Sequence, residues 1–115
     1  MSLLSTPFEA FDASALELDS SEIKLLMKEL DNWEVVNESS THKLRRKFST
    51  KKYSVSLTLT NRIAALAESV NHHPAITLEY GSVTVLWWTH ELNGLHMNDF
   101  RMALITSQLF EDLAT

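Results

Sequence analysis

Three histidines offer the clearest chemistry in this sequence. His72 and His73 are adjacent and stand directly before Pro74, and His90 follows the next predicted hairpin. The histidine side chain, with an unperturbed pKa of about 6.5, can donate and accept protons near neutral pH. Neighbouring side chains at the end of a helix point in different directions, so the paired rings can approach one ligand from two sides. The three residues together predict an acid–base site.

Two carboxylates could support these rings. Glu68 lies four residues before His72, and on a helix this spacing would let it orient that ring or stabilise its protonated form. Asp99 falls in the first turn of the last predicted helix, where it could turn inward to hold His90 in one tautomer or only complement the helix dipole. Each of these residues, taken alone, is more often a solvated surface group. Only their combination predicts a site.

Other kinds of site fit the sequence less well. His72, His73, His90 and Glu68 could supply metal ligands, but adjacent histidines cannot easily place both ring nitrogens on one ion, and the common helical zinc spacing is His-x-x-x-His. The chain has no cysteine, which excludes disulfides, thiolate zinc sites and thiol nucleophiles. No Gly-x-Ser-x-Gly nucleophile motif is present. We therefore do not expect a metal site.

Composition indicates a small globular protein. The 115 residues suffice for one domain with an ordinary core, and 44% hydrophobic with 22% charged residues is typical of a folded chain. The net charge of −5 argues against nucleic-acid and anionic-membrane partners. No apolar run is long enough to span a bilayer, and the acidic N-terminus resembles neither a signal nor a transit peptide. We expect a cytoplasmic protein with a loosely ordered lead-in over residues 1–17 and a single domain over 18–115.

Periodicity predicts a mixed α+β domain with an antiparallel sheet. A helix should start at Asp19, which is followed three residues later by Glu22 as in a capping box. Strands are predicted over 33–36, 42–48, 77–80 and 83–89, and a last helix over 97–113. Residues 51–70 fit two patterns: alternation favours a strand over 53–59, whereas composition favours a helix over 61–68. Local signals alone predict a strand followed by a helix.

The spacing of the candidate residues resembles the motif of the pterin-4a-carbinolamine dehydratases. In that motif an acidic residue, His-His-Pro, an aromatic residue, a further histidine and an aspartate follow at set intervals. Here nine residues separate Tyr80 from His90, and eight separate His90 from Asp99. The resemblance covers about residues 18 to 112. The positions that match the motif are Glu68, His72, His73, Pro74, Tyr80, His90 and Asp99.

The resemblance implies a fold and an assembly. The fold is a four-stranded antiparallel sheet of two hairpins with three helices packed on one face, in the order αββαββα, and it makes 51–70 one long helix. Family members form dimers or tetramers, so we expect self-association, with the sheet edge and Trp87 or Trp88 at the interface. Where the family often has serine or threonine before the last helix, this chain has His96. We expect that helix to lack a favoured N-cap.

The resemblance also implies an activity, the dehydration of 4a-hydroxytetrahydrobiopterin to the quinonoid dihydropterin by histidine acid–base catalysis, without a cofactor. Catalytic roles fall to His72, His73 and His90, and substrate-binding or orienting roles to Glu68, Pro74, Tyr80 and Asp99. The pathway partner would be an aromatic amino acid hydroxylase. Two alternatives remain open: a protein-binding module that stabilises a partner's dimer, as a transcriptional coactivator does, and a relative acting in another pterin pathway such as molybdenum cofactor metabolism.

Overall fold

The computed structural model describes residues 17–114. The expected lead-in over 1–17 lies almost wholly outside these residues. The elements in chain order are α1 (Ser20–Met27), β1 (Glu34–Glu38), β2 (Thr41–Ser49), α2 (Tyr53–Val70), β3 (Ala75–Glu79), β4 (Ser82–Trp87) and α3 (Met97–Ala114). Among the described helices, none has the length and apolar character needed to cross a membrane.

The four strands form one antiparallel sheet in the order β1-β2-β4-β3. Two hairpins therefore lie side by side, with β2 and β4 paired in the middle. The first hairpin turns through Ser39 and Ser40, whose φ angles of 51° and 66° suit a two-residue turn that follows the twist of the strands. The predicted α+β class and the αββαββα order are confirmed.

The core lies between one face of the sheet and the helices. Alternate residues of the two central strands are buried on this face, because successive side chains of a strand point to opposite sides. They pack with apolar residues spaced three or four apart on the helices. The fully buried members include Leu44, Phe48, Val83, Val85 and Trp87 from the sheet, Leu59 and Ile63 from α2, and Phe100 from α3.

Residues 51–70 contain one helix, so the strand read from local alternation at 53–59 is wrong and the long helix implied by the resemblance is confirmed. The alternating series ends at Leu59, which lies on the buried face of α2 in the structure. That buried stripe also includes Ser56, Ile63 and Ala67. Packing of this stripe on the sheet overrides the strand propensity of the segment.

The chain changes course after β4. The strand ends at Trp87, two residues earlier than predicted, and His90 begins a 3₁₀ turn over His90–Leu92. Thr89 and Gly94 form an isolated bridge that closes this loop. Trp87 has no exposed surface, which rules it out as an interface residue in this fold, whereas Trp88 is half-buried.

The start of α3 corrects the expectation that His96 leaves this helix uncapped. The His96 Nδ1 atom accepts a hydrogen bond of 3.0 Å from the backbone N–H of Asn98. In return, the backbone N–H of His96 donates to Asp99 Oδ2 over 2.9 Å. This reciprocal pair has the form of a capping box with a ring nitrogen in place of a hydroxyl. The expectation is wrong because it considered only oxygen acceptors.

Candidate active site

The end of α2 separates the two adjacent histidines. Asn71 follows the helix with φ at 53°, in the left-handed conformation that commonly ends helices, and its backbone N–H bonds carbonyls of the last turn. The chain then leaves the helix through Pro74 into β3. As a result the His72 side chain is directed inward, with 11% of its surface exposed, whereas the His73 side chain is 51% exposed.

A buried carboxylate holds His72. The His72 Nε2 atom lies 2.7 Å from Asp99 Oδ1, and Asp99 has no exposed surface. The second carboxylate oxygen, Oδ2, accepts hydrogen bonds from the Thr89 hydroxyl at 2.7 Å and from the His96 backbone N–H at 2.9 Å. Three donors therefore converge on one carboxylate, which is the arrangement that compensates a buried negative charge.

An indole fixes the face of the same ring. The rings of His72 and Trp87 are stacked, with centroids 5.5 Å apart and planes 20° from parallel. Trp87 is itself anchored, because its Nε1–H donates to Thr106 Oγ1 over 3.1 Å. The edge of the His72 ring is thus set by Asp99 and its face by Trp87, which leaves the ring little freedom to rotate.

His73 pairs with Glu68 at the surface. Its Nε2 lies 2.5 Å from Glu68 Oε1, but the Glu68 side chain is 79% exposed. Ion pairs with this exposure are screened by water and contribute little to stability. The pair therefore orients the ring more than it stabilises the fold.

The carboxylate partners differ from the sequence prediction. Glu68 was expected to meet His72 and instead bonds His73, and Asp99 was considered as a partner of His90 and instead bonds His72. The i and i+4 argument fails because helical geometry ends at Val70, and the left-handed Asn71 redirects the residues that follow. The pairing of Asp99 with His72 joins two elements 27 residues apart, which spacing along one helix cannot reveal.

His90 enters the site from the loop after β4. Its Nε2 lies 3.3 Å from the backbone carbonyl oxygen of His73. On its other side the ring packs against Trp88, with centroids 4.4 Å apart. The Lys43 ammonium lies 3.9 Å from the centroid of the same indole. The loop is therefore tied both to the His72-His73 segment and to the open face of the sheet.

The three histidines share one open cleft. It has a volume of about 320 Å³, and its lining residues are Asn71, His72, His73, His90 and Glu91. Each histidine uses Nε2 toward an oxygen that accepts: the carboxylates of Asp99 and Glu68 and the carbonyl of His73. These contacts assign the hydrogen to Nε2 in each neutral ring, which makes Nδ1 the basic nitrogen. The cleft thus gathers three groups suited to moving protons.

Two predicted residues occupy other positions. Tyr80 lies in the turn at the opposite end of β3 from the histidines and is 71% exposed, so it does not line the cleft. Pro74 lies between His73 and the first residue of β3 and shapes the turn. Sequence reasoning assigned no role to Thr89 and considered Trp87 only for the core or an interface, yet Thr89 bonds Asp99 and Trp87 stacks on His72. The only sequence signal for either residue was its place between the second hairpin and His90.

His72, His73, His90 and Glu68 were also considered as metal ligands. Within residues 17–114, no three histidine, cysteine, aspartate or glutamate residues are grouped closely enough to hold a metal ion.

Comparisons with known proteins agree on one family. A family model described as pterin 4 alpha carbinolamine dehydratase matches residues 16–109. A Nitrosococcus oceani protein with the provisional name pterin-4-alpha-carbinolamine dehydratase is 43% identical over 103 residues, which cover 90% of this chain and 91% of that protein. A Chlorobium limicola protein with the same provisional name is 48% identical over 94 residues, 82% of this chain and 83% of that one.

A solved structure extends the likeness to three dimensions. The crystal structure of a transcriptional coactivator/pterin dehydratase from Brucella melitensis superposes with a TM-score of 0.74 at 28% sequence identity. The match covers 81% of this chain and 97% of that one.

Proposed function

The chain belongs to the pterin 4 alpha carbinolamine dehydratase family, and from this premise we propose that it removes water from a 4a-hydroxytetrahydropterin to give the quinonoid dihydropterin. The observation that carries the proposal is the convergence of His72, His73 and His90 on one cleft, with His72 bonded to a buried carboxylate. The substrate class comes from the family. The capacity for acid–base work comes from the imidazoles.

The reaction requires two proton transfers, one to the 4a-hydroxyl and one away from N5. The bond between C4a and its hydroxyl breaks, and hydroxide is a poor leaving group unless an acid protonates it. The N5–H proton must leave as the C4a–N5 double bond forms. The reaction releases water and involves no change of oxidation state. Groups with a pKa near the working pH catalyse such transfers best, typically by about 10²–10⁴-fold.

We assign these two transfers to His73 and His90, whose bonded Nε2 atoms leave Nδ1 as the basic nitrogen. The 3.3 Å contact between the His90 ring and the His73 backbone keeps the two residues together. His72 serves as a third acid–base or binding group. The adjacent Asp99 carboxylate stabilises the positive charge that His72 carries whenever it is protonated. Glu68 acts in the same way on His73 but in a more hydrated setting.

The proposal also includes the cellular location, the pathway and the assembly of the protein. We propose that the protein acts in the cytoplasm in tetrahydrobiopterin metabolism, beside an aromatic amino acid hydroxylase that produces its substrate. We also propose that it self-associates as a dimer or tetramer. Exposed apolar residues of α2 support association, since Tyr53 and Leu57 lie one helical turn apart with 47% and 43% of their surfaces exposed.

The test compares the dehydration of 4a-hydroxytetrahydropterin with and without the protein. The wild-type chain should accelerate the spontaneous reaction, and His73→Ala and His90→Ala should each lower turnover by about 10²-fold. His42→Ala is the matched control, because His42 is an exposed histidine on β2 that does not line this cleft. Circular dichroism should show that all variants are folded. A wild-type rate equal to the spontaneous rate would refute the activity, and unchanged turnover in both variants would refute the assignment.

A further inference from the structure

Thr89 occupies an unusual position between two of the histidines. Its backbone closes the loop that carries His90, through N–H to Gly94 O at 2.9 Å and through its carbonyl to the Leu92 N–H at 3.1 Å. Its side chain points to the other histidine of the site, because its hydroxyl donates to Asp99, the partner of His72. Thr89 is 3% exposed and does not line the cleft. Thr89 can therefore influence the proton transfers only through the residues that it contacts.

The Thr89 hydroxyl stabilises the carboxylate of Asp99. Asp99 is fully buried, so its charge depends on the donors around it. Two of them, the Thr89 hydroxyl and the His96 N–H, share Oδ2, and this leaves Oδ1 for His72. Without the hydroxyl, Oδ2 keeps only the His96 donor, and more of the negative charge is left for the contact at Oδ1. The hydrogen bond from the His72 Nε2–H to Oδ1 then becomes stronger.

Resting on the proposed function, we propose that Thr89 is a positioning residue for the dehydration. It fixes the orientation of the Asp99 carboxylate and, through it, the position and the hydrogen bonding of the His72 ring. The same residue anchors the His90 loop, so it fixes the positions of two of the three histidine rings relative to each other. The ionisable groups around this unit are His72 and His96 at Asp99 itself, His73, His90 and Glu91 at the cleft, and Glu68 bonded to His73.

The test replaces the hydroxyl with a methyl group of similar volume. Thr89→Val should lower kcat roughly tenfold, the effect of about 1.4 kcal/mol in the barrier, with KM unchanged because Thr89 does not line the cleft. Thr89→Ser keeps the hydroxyl and should retain the wild-type kcat. Thr84→Val makes the same change at another buried threonine, in β4, and should have no effect.

Two further measurements keep the outcomes distinct. In the proton NMR spectrum, the His72 Nε2–H resonance should move downfield in Thr89→Val, a readout that does not depend on any activity. If Thr89→Val does not fold, Thr89→Cys replaces it, since the thiol is a weaker donor; its kcat should fall several-fold below that of Thr89→Ser. A wild-type kcat and a wild-type resonance in the valine variant overturn the role of Thr89. An inactive wild-type protein overturns the proposed function, and the resonance then decides the role of Thr89 alone.

Discussion

Replacing Asp99 by asparagine should damage turnover far more than folding. Asparagine has nearly the same shape as aspartate, but only one of its two terminal atoms accepts hydrogen bonds. The amide oxygen can take the place of Oδ2, where it still meets the Thr89 hydroxyl and the His96 N–H. The amide NH₂ group then faces His72 Nε2, which must become an acceptor. The His72 hydrogen moves to Nδ1, and the basic nitrogen changes sides.

The magnitudes follow from the three contacts of the carboxylate. Hydrogen bonds to charged groups contribute about 1.5–3 kcal/mol and neutral ones about 0.5–1.5 kcal/mol, so three conversions cost about 3 kcal/mol. Removing a fully buried charge recovers several kcal/mol of desolvation, which offsets most of this cost. We expect Asp99→Asn to lower the free energy of unfolding by only about 0–2 kcal/mol. The misplaced proton on His72 should lower turnover by about 10²-fold.

Three measurements separate these effects. Urea denaturation followed by circular dichroism gives the free energy of unfolding, a long-range ¹H–¹⁵N NMR spectrum identifies the His72 tautomer, and the dehydration assay gives kcat. Asp99→Ala is the contrasting variant: it leaves one buried and two partly buried donors without their acceptor, and we expect a loss of stability of about 3–5 kcal/mol. The reasoning is wrong if Asp99→Asn keeps the hydrogen on Nε2 together with wild-type turnover, or if the alanine variant is no less stable than the asparagine variant.

Three further predictions concern other parts of the chain. Thr60→Val should raise the free energy of unfolding by about 1 kcal/mol, because Thr60 Oγ1 is buried without a hydrogen-bond partner; a lower melting temperature would contradict this. The backbone N–H of Glu22 lowers the pKa of Asp19 below its ordinary value of 3.8, so this cap of α1 is fully formed above that pH and is lost as the pH falls through the lower folded value. Protection of the Glu22 amide against hydrogen exchange, corrected for intrinsic rates, should fall in the same range. Tyr80→Ala should leave kcat and KM unchanged, since Tyr80 lies at the far end of β3, and a raised KM would show that it contacts substrate.

Local sequence signals predicted the elements whose periodicity is unambiguous. The capping box of Asp19 and Glu22 at the start of α1 is confirmed, with both of its hydrogen bonds formed. Both hairpins also form where the sequence predicts them, although β4 is shorter than expected. Residues 51–70 could not be predicted locally, because the same apolar positions satisfy a strand and a helix. Only the packing of α2 against the sheet distinguishes a helix from a strand here, and that packing involves residues far apart in the sequence.

The site was predictable in its histidines but not in its partners. Residue type and the family motif were enough to select His72, His73 and His90, which line one cleft. The carboxylate partners depend on where the chain turns after α2 and on the burial of Asp99 beneath Thr89, neither of which leaves a periodic signal. His96 shows the same limit, since its capping nitrogen depends on a ring orientation that propensity does not describe.

Because Asp99 lies in α3, the site is complete only when the last helix is docked on the rest of the domain. The carboxylate that orients His72 arrives from the last helix, whereas all three imidazoles precede that helix in the chain. A polypeptide that ends before Met97 would carry every histidine of the motif and lack the carboxylate that bonds His72 Nε2. During heating, catalysis should therefore disappear together with the docking of α3, even while the hairpins remain paired.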